Sequence, residues 1–334
     1  MKHSKVFLTG HSIQGARHIQ MNTPCQDAVF VHQEEDLFIM CAADGHGDSK
    51  HARSDEGAKI AVHIAGRILR QAFFDLKHDQ RNYKELEQSI REHLPRRISW
   101  EWNRAVQQST EGHWTKKVVL FGCTLLAAAI SADLCIFVQL GDGDMLFLDQ
   151  QGQPEFIFPP DDQLYGTVTR SLCQPNVALH TQVQVRTLAN PRLFLMSTDG
   201  LRDSLQDNEE NYIKVGKWLL QKYQNHGFHN LNKELPEWIS KLSFQGNGDD
   251  TTMAFSIWPL NNEDLPSPAK NHRPTPQIKD DTYGLYHFFG EPIVESNRNH
   301  DHKIVHPIST RNRFSKAKRH RSKIRHRYNH HRTL

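Results

Sequence analysis

The chain has 334 residues, 37% of them hydrophobic and 24% charged, with a formal net charge of +3. That is enough chain for one large domain or two small ones with a packed core. Five cysteines (Cys25, Cys41, Cys123, Cys135 and Cys173) without a CxxC pair argue against a zinc site and for free thiols in a reducing compartment. The longest apolar run, Val118 to Ile130, is far short of the about 20 residues a membrane span needs. MKHSKVFLTGHS has no apolar signal core, so a soluble, cytoplasmic protein without a transmembrane segment is expected.

Taken in order, Val6–Thr9 and Ala28–His32 are expected strands, joined by a long loop that delivers Gln26 and Asp27 to the second of them. Leu37–Ala43 (LFIMCAA) is a buried strand, expected to pair with Ala28–His32 across the charged turn Gln33–Asp36. Helical spacing follows over Ser49–Phe74, and a second helix is expected from Tyr83 to Ser109, with Pro95 as a kink and Trp100 and Trp102 packed inward. Val119–Ile130, Leu134–Leu140 and Met145–Leu148 then read as a β-meander. Residues 150–180 are a Pro-marked loop region. Strands at Val183–Leu188, Leu193–Met196 and Thr252–Trp258 flank two helices, Tyr212–Tyr223 and Leu235–Leu242.

The stretch CAADGHGDS, Cys41–Ser49, holds the chemistry. Asp44, His46 and Asp48 leave the end of one strand beside two glycines that permit a sharp turn and close backbone approach. Carboxylates at a tight turn suit a hard cation such as Mg²⁺ or Mn²⁺, and a His there can move a proton near neutral pH. DG and HG are also ordinary turn formers. What singles this turn out is recurrence: Asp27 in PCQDA, Asp142 and Asp144 in LGDGDM, Asp199 and Asp203 in STDGLRDS, and Asp249 and Asp250 in GDDTT all lie at strand boundaries. Gathered at one edge of a sandwich, such carboxylates repel one another unless cations sit among them.

The ordered set QDA, DGHG, FGCTL, LGDGD, TRSL, STDGL and GDDTT resembles the metal-dependent 2C-type serine/threonine protein phosphatases, the PPM class, in a bacterial-style branch, over roughly residues 5–258. The resemblance implies an α+β fold, a four-layer α/β/β/α sandwich of two antiparallel sheets flanked by helices. It implies that Asp44 bridges two Mn²⁺ or Mg²⁺ ions, that Asp199 and Asp249 complete one site, and that Asp27 or Gln26 with the Gly45 carbonyl serves the other. Asp142, with Asp199 and Asp203, matches the position of a third, looser ion, and His46 matches the general acid. The implied reaction is hydrolysis of phosphoserine and phosphothreonine in phosphoproteins by direct attack of a metal-bridging water. A catalytically impaired binding module and a phosphatase for a small phosphate ester are the alternatives.

Several positions depart from the family pattern. Gln26 stands where many members have Glu. Asn22 lies where an Arg holds the substrate phosphate, which leaves Arg17 and His18 as candidates for that task. Asp48 reads as a turn or helix cap, Asp144 replaces an Arg and reads as a turn residue, and spacing to the last strand favours Asp249 over Asp250 as the ligand.

The expected organisation is a phosphatase domain at 1–260, a Pro-containing irregular extension at 261–310 with one aromatic island, Tyr283–Phe289, and a basic, His-containing tail at 311–334 that reads as disordered. The tail holds ten Lys/Arg, four His and no Asp or Glu. Without those ten, 31 of the 41 basic residues face 38 acidic ones, leaving −7 for the rest. The tail's contrast with the body suits an acidic partner such as nucleic acid or an anionic surface, or a merely solubilising end.

Overall fold

The structure, a computed structural model, describes residues 6–78, 83–109, 118–159, 169–206 and 209–260. The extension, the aromatic island and the basic tail lie outside the described residues.

Among the described residues, ten strands form two antiparallel five-stranded sheets. The first contains β1 (Phe7–Ile13), β6 (Asp144–Asp149), β7 (Pro154–Phe156), β9 (Pro191–Ser197) and β10 (Thr251–Ile257), in the order β1-β10-β9-β6-β7. The second contains β2 (Ala28–Glu34), β3 (Leu37–Ala43), β4 (Leu125–Ile130), β5 (Cys135–Leu140) and β8 (Gln182–Arg186), in the order β2-β3-β4-β5-β8. The charged turn closes the β2–β3 pair with Glu34 opposite Leu37, and Glu35 takes the left-handed conformation (φ 51°).

The period-2 alternation of side chains distributes β2, β3, β4 and β5 of the second sheet between two cores. Leu37, Ile39, Cys41 and Ala43 join Ala58, Ala61, Ile68 and Leu69 of α2 (Ser54–His78). The intervening Met40 and Ala42 join Leu126, Ala128, Phe147, Phe194, Met196 and Ala254 between the sheets. α3 (Tyr83–Gln108) lies on α2 and carries Pro95 inside it. Its Trp102 is buried and donates Nε1–H to the Gly57 carbonyl at 3.0 Å, whereas Trp100 is 61% exposed, contrary to the inward packing expected for both.

The opposite layer is α5 (Glu209–Gln245), broken at Gly227 (φ 76°) into two helices as the sequence suggests. Trp218 of one half stacks on Trp238 of the other at 4.6 Å, and Phe228 packs on Phe7 and Phe255 of the first sheet at 4.8 and 6.3 Å. The architecture is the four-layer α/β/β/α sandwich.

Three further expectations are corrected. The meander does not continue: after β4 and β5 the LGDGD turn carries the chain across the sandwich, and β6 pairs with β9 and β7 of the other sheet. Apolar periodicity is the same on both sheets, so it could not report the crossing. Val118–Phe121 is a helical turn and not the start of β4. The loop before Asp27 contains a short helix, α1 (Ala16–Met21), ended by Asn22 in the left-handed conformation (φ 54°). Another short helix, α4 (Asp199–Ser204), begins at Asp199 itself.

Candidate metal centre

The strand ends and their turns bring the predicted acidic residues to one rim. Asp44 follows β3; its backbone N–H donates to Thr124 Oγ1 at 3.0 Å, and its carbonyl accepts from Thr124 N–H at 2.8 Å. The next residue, Gly45, is buried and bridges to Cys123, which locks the DGHG turn against the FGCTL segment. Asp27 is buried just before β2 and accepts from Thr198 Oγ1 at 2.8 Å. Asp199 and Asp203 stand four apart on α4, on one helix face. Asp142 sits in the β5–β6 turn with the Thr169 hydroxyl beside it.

Their electrostatics link them into one group. Burial raises the Asp44 carboxyl well above the usual range, and Asp27, Asp142 and Asp249 raise it further. Asp199 is raised in the same way, by burial first and then by Asp44, Asp142, Asp203 and Asp249. Burial, then Asp250, pushes Asp27 up to about 8. Burial also raises Asp142. Crowded acids of this kind hold protons unless positive charge arrives to replace them.

Adjacent residues in GDDTT have different duties. Asp250 is buried and accepts from Gly15 N–H at 2.6 Å, Gln26 N–H at 2.6 Å and His18 Nδ1 at 2.8 Å. It holds the loop that carries Gln26 and Asp27. A Cβ on Gly15 would meet the Asp249 carbonyl carbon at 2.2 Å, and one on Gly200 the Asp250 carbonyl oxygen at 2.0 Å, so only glycine permits this approach. Asp249 instead reaches the rim, 3.2 Å from Arg17 Nη2 and 3.6 Å from His18 Nε2.

Two predicted residues face elsewhere. The Gln26 side-chain amide donates to Ser54 Oγ at 2.8 Å and to the His46 carbonyl at 3.4 Å. The His46 ring packs on His51 at 4.8 Å, and the charges it feels are His51, Asp48 and Lys50. Burial, then His51, pushes its pKa down to about 4, so the ring is neutral at pH 7. Asp48 caps the turn after it, accepting from Lys50 N–H at 2.9 Å. Asp144 is not a turn residue: it opens β6 as a buried carboxylate paired with Arg202 of α4. Sequence reading missed Arg202 and the structural role of Asp250; the adjacency of two acids in GDDTT was the only available signal.

Among the described residues, no three His, Cys, Asp or Glu side chains are closed tightly enough to hold an ion as they stand. The donor chemistry nevertheless fits a divalent cation: the rim offers carboxylate and carbonyl oxygen and no thiolate, the set that Mg²⁺ and Mn²⁺ prefer.

A four-layer sandwich with acidic side chains gathered at one rim suits metal-dependent hydrolysis. A model of the family described as Protein phosphatase 2C matches residues 14–240, and the chain belongs to that family of metal-dependent serine/threonine protein phosphatases. Among solved structures, the serine/threonine phosphatase Stp1 from Staphylococcus aureus is similar at 13% identity over 78% of this chain and 97% of that one, with a TM-score of 0.51. PppA, described as a key regulatory component of T6SS in Pseudomonas aeruginosa, matches at 18% identity over 76% and 98%, with a TM-score of 0.50. A bacterial serine phosphatase matches at 13% over 76% and 98%, also at 0.50. At these identities the structures establish the fold alone. No curated protein matches the chain. No helix among the described residues is long and apolar enough to cross a membrane.

Proposed function

We propose that residues 1–260 form an active phosphatase that hydrolyses phosphoserine and phosphothreonine in proteins and needs Mn²⁺ or Mg²⁺. The observation that carries this is the mutual repulsion of Asp44, Asp199, Asp142 and Asp249, which divalent cations would relieve. Two such ions bound there would neutralise the substrate phosphate and lower the pKa of a water between them. Asp44 would serve both; Asp199 and Asp249 would hold one, and Asp27 with the Gly45 carbonyl the other, the Gln26 amide being engaged with Ser54. Asp142 and Asp203 would help hold a third. His46 would hand a proton to the departing seryl or threonyl oxygen, once an approaching phosphate dianion raises its affinity for that proton. Arg17, half-exposed beside Asp249, would hold the phosphate.

Four of the five thiols are poorly suited to form a phosphocysteine intermediate. Burial raises Cys41 and Cys123 and pushes Cys25 and Cys135 up to about 12, far from the thiolate a nucleophile requires. The five free cysteines also support a reducing, cytoplasmic setting. The basic residues 311–334 support an acidic partner, nucleic acid or an anionic surface, whose binding would weaken with salt.

The test is turnover of a phosphothreonine peptide with Mn²⁺, with Mg²⁺ and with chelator. Activity that chelator abolishes and that Asp44→Ala and Asp199→Ala both remove is expected; wild-type turnover by either variant ends the reading. A second reading, a binding module without catalysis, is favoured by the inward-turned Gln26 amide and by His46 facing His51. Calorimetric titration with Mn²⁺ separates the two, because a dead module takes up little of the ion.

A further inference from the structure

Between the Asp142 turn and the Asp199 helix lies a buried ion pair that the chemistry above leaves unused. Asp144 Oδ1 accepts from Arg202 Nη2, with side-chain exposures of 10% and 14%. Each partner neighbours a proposed ligand: Asp144 lies two residues after Asp142, and Arg202 lies three after Asp199 and one before Asp203.

α4 has only six residues, too short to hold its own orientation. Its ends are tied by Thr198 N–H donating to the Thr252 carbonyl at 3.0 Å and by Ser204 Oγ donating to Asn247 Oδ1 at 3.0 Å. Those contacts fix where the helix starts and stops. Its rotation is constrained by Gly200 against the Asp250 carbonyl, by buried Leu201 and, on the side facing the Asp142 turn, by Arg202, which is about 60° around the helix from Asp199 at about 100° per residue. The guanidinium also lies over the rings of Phe156 at 5.6 Å and Tyr212 at 5.9 Å, and Tyr212 bonds Ser197 at 2.9 Å. Ser197 is the residue paired with Asp144 across β6 and β9, so the network closes on itself.

We propose that Arg202 and Asp144 are positioning residues that fix the spacing between Asp142 on one side and Asp199 and Asp203 on the other, and so set the affinity of the weakest-held divalent cation at the rim. This rests on the metal-dependent reading above. The pair also excludes a simpler role for Arg202: its charge is committed to Asp144, so it does not serve as a phosphate anchor.

The test uses the full chain, Mn²⁺ calorimetry and thermal melting in chelator. Arg202→Met alone leaves a buried carboxylate without its cation and can fail to fold, so the double variant Asp144→Asn with Arg202→Met, which removes both charges, is the main probe. Glu155→Gln, which breaks the Arg186–Glu155 pair between β8 and β7, is the control for lost stability without a role at the rim. The double variant should weaken the last Mn²⁺-binding step by about tenfold and leave the tighter steps within about twofold, as outer-shell changes do. Its activity should return toward wild type at high Mn²⁺. Glu155→Gln should lower the melting temperature without moving the isotherm. A double-variant isotherm that superimposes on wild type overturns the proposal while the phosphatase reading stands. A wild-type chain that takes up no Mn²⁺ overturns both.

Discussion

Gly15 donates its backbone N–H to Asp250 at 2.6 Å, across 235 residues of sequence. The same carboxylate takes two further donors, Gln26 N–H and His18 Nδ1, and stays buried. Its neighbour Asp249 reaches the rim with a side chain that is 43% exposed. One dipeptide therefore divides into an anchor and a candidate ligand.

That division predicts opposite phenotypes. Asp250→Ala strands two backbone donors and an imidazole, and should destabilise the protein by about 3 kcal/mol. Asp249→Ala should cost less than about 1 kcal/mol of stability, because its ion pair with Arg17 is exposed. It should nonetheless abolish Mn²⁺-dependent turnover. Chelator-treated melting curves and phosphopeptide assays on both variants check this; equal stability losses would erase the distinction.

His46 tests the acid role directly. If the ring protonates the leaving oxygen, His46→Gln should cost about 10²–10⁴-fold on a phosphoserine peptide. It should cost little on an aryl phosphate whose leaving group needs no proton. Equal losses on both substrates would mean that the ring matters through its packing on His51 and Gly122, where a Cβ would lie 2.9 Å from His46 Cδ2.

The sequence was most legible where burial is two-sided. Leu37–Ala43 is an uninterrupted apolar run because both of its faces are covered, and its limits coincide with β3. The two helices of α5 were visible because each has its own apolar face, although the break at Gly227 was not marked. Sheet membership was illegible: β5 and β6 share the same apolar period on either side of LGDGD, yet belong to different sheets. The acidic turns were legible as a set, since Asp at strand ends recurs in one order. Spacing to the last strand picked Asp249 over Asp250, but the tasks of Asp144 and Asp250 were not legible, because their partners, Arg202 and Gly15, are brought to them only by the fold.

Arg17 tests the substrate side. It lies on α1, and its Nη2 is 3.2 Å from Asp249 and 3.4 Å from the Asn247 carbonyl. As a phosphate holder, Arg17→Ala should raise KM for a phosphothreonine peptide by about tenfold, the loss of one charge-assisted bond. Stability should change by less than about 1 kcal/mol, since the residue is half-exposed. An unchanged KM would remove Arg17 from the site.

Removing metal should reverse the usual pH dependence at this rim. Asp27 has its pKa raised from 3.8 to about 8, and Asp44, Asp142 and Asp199 are raised in the same direction. An acid raised in this way binds more protons folded than unfolded between its two pKa values. Its contribution is therefore fully present below the unfolded pKa and is lost as pH climbs through the folded one, here between about 4 and about 8. A bound divalent cation replaces those protons and cancels the loss. The melting temperature gained on adding Mn²⁺ to chelator-treated protein should accordingly grow from about pH 5 to about pH 8. Binding at pH 7 should release protons, visible as a calorimetric heat that depends on the ionisation enthalpy of the buffer. A gain that stays flat across that range, with heats independent of buffer, would show that these carboxylates do not exchange protons for metal.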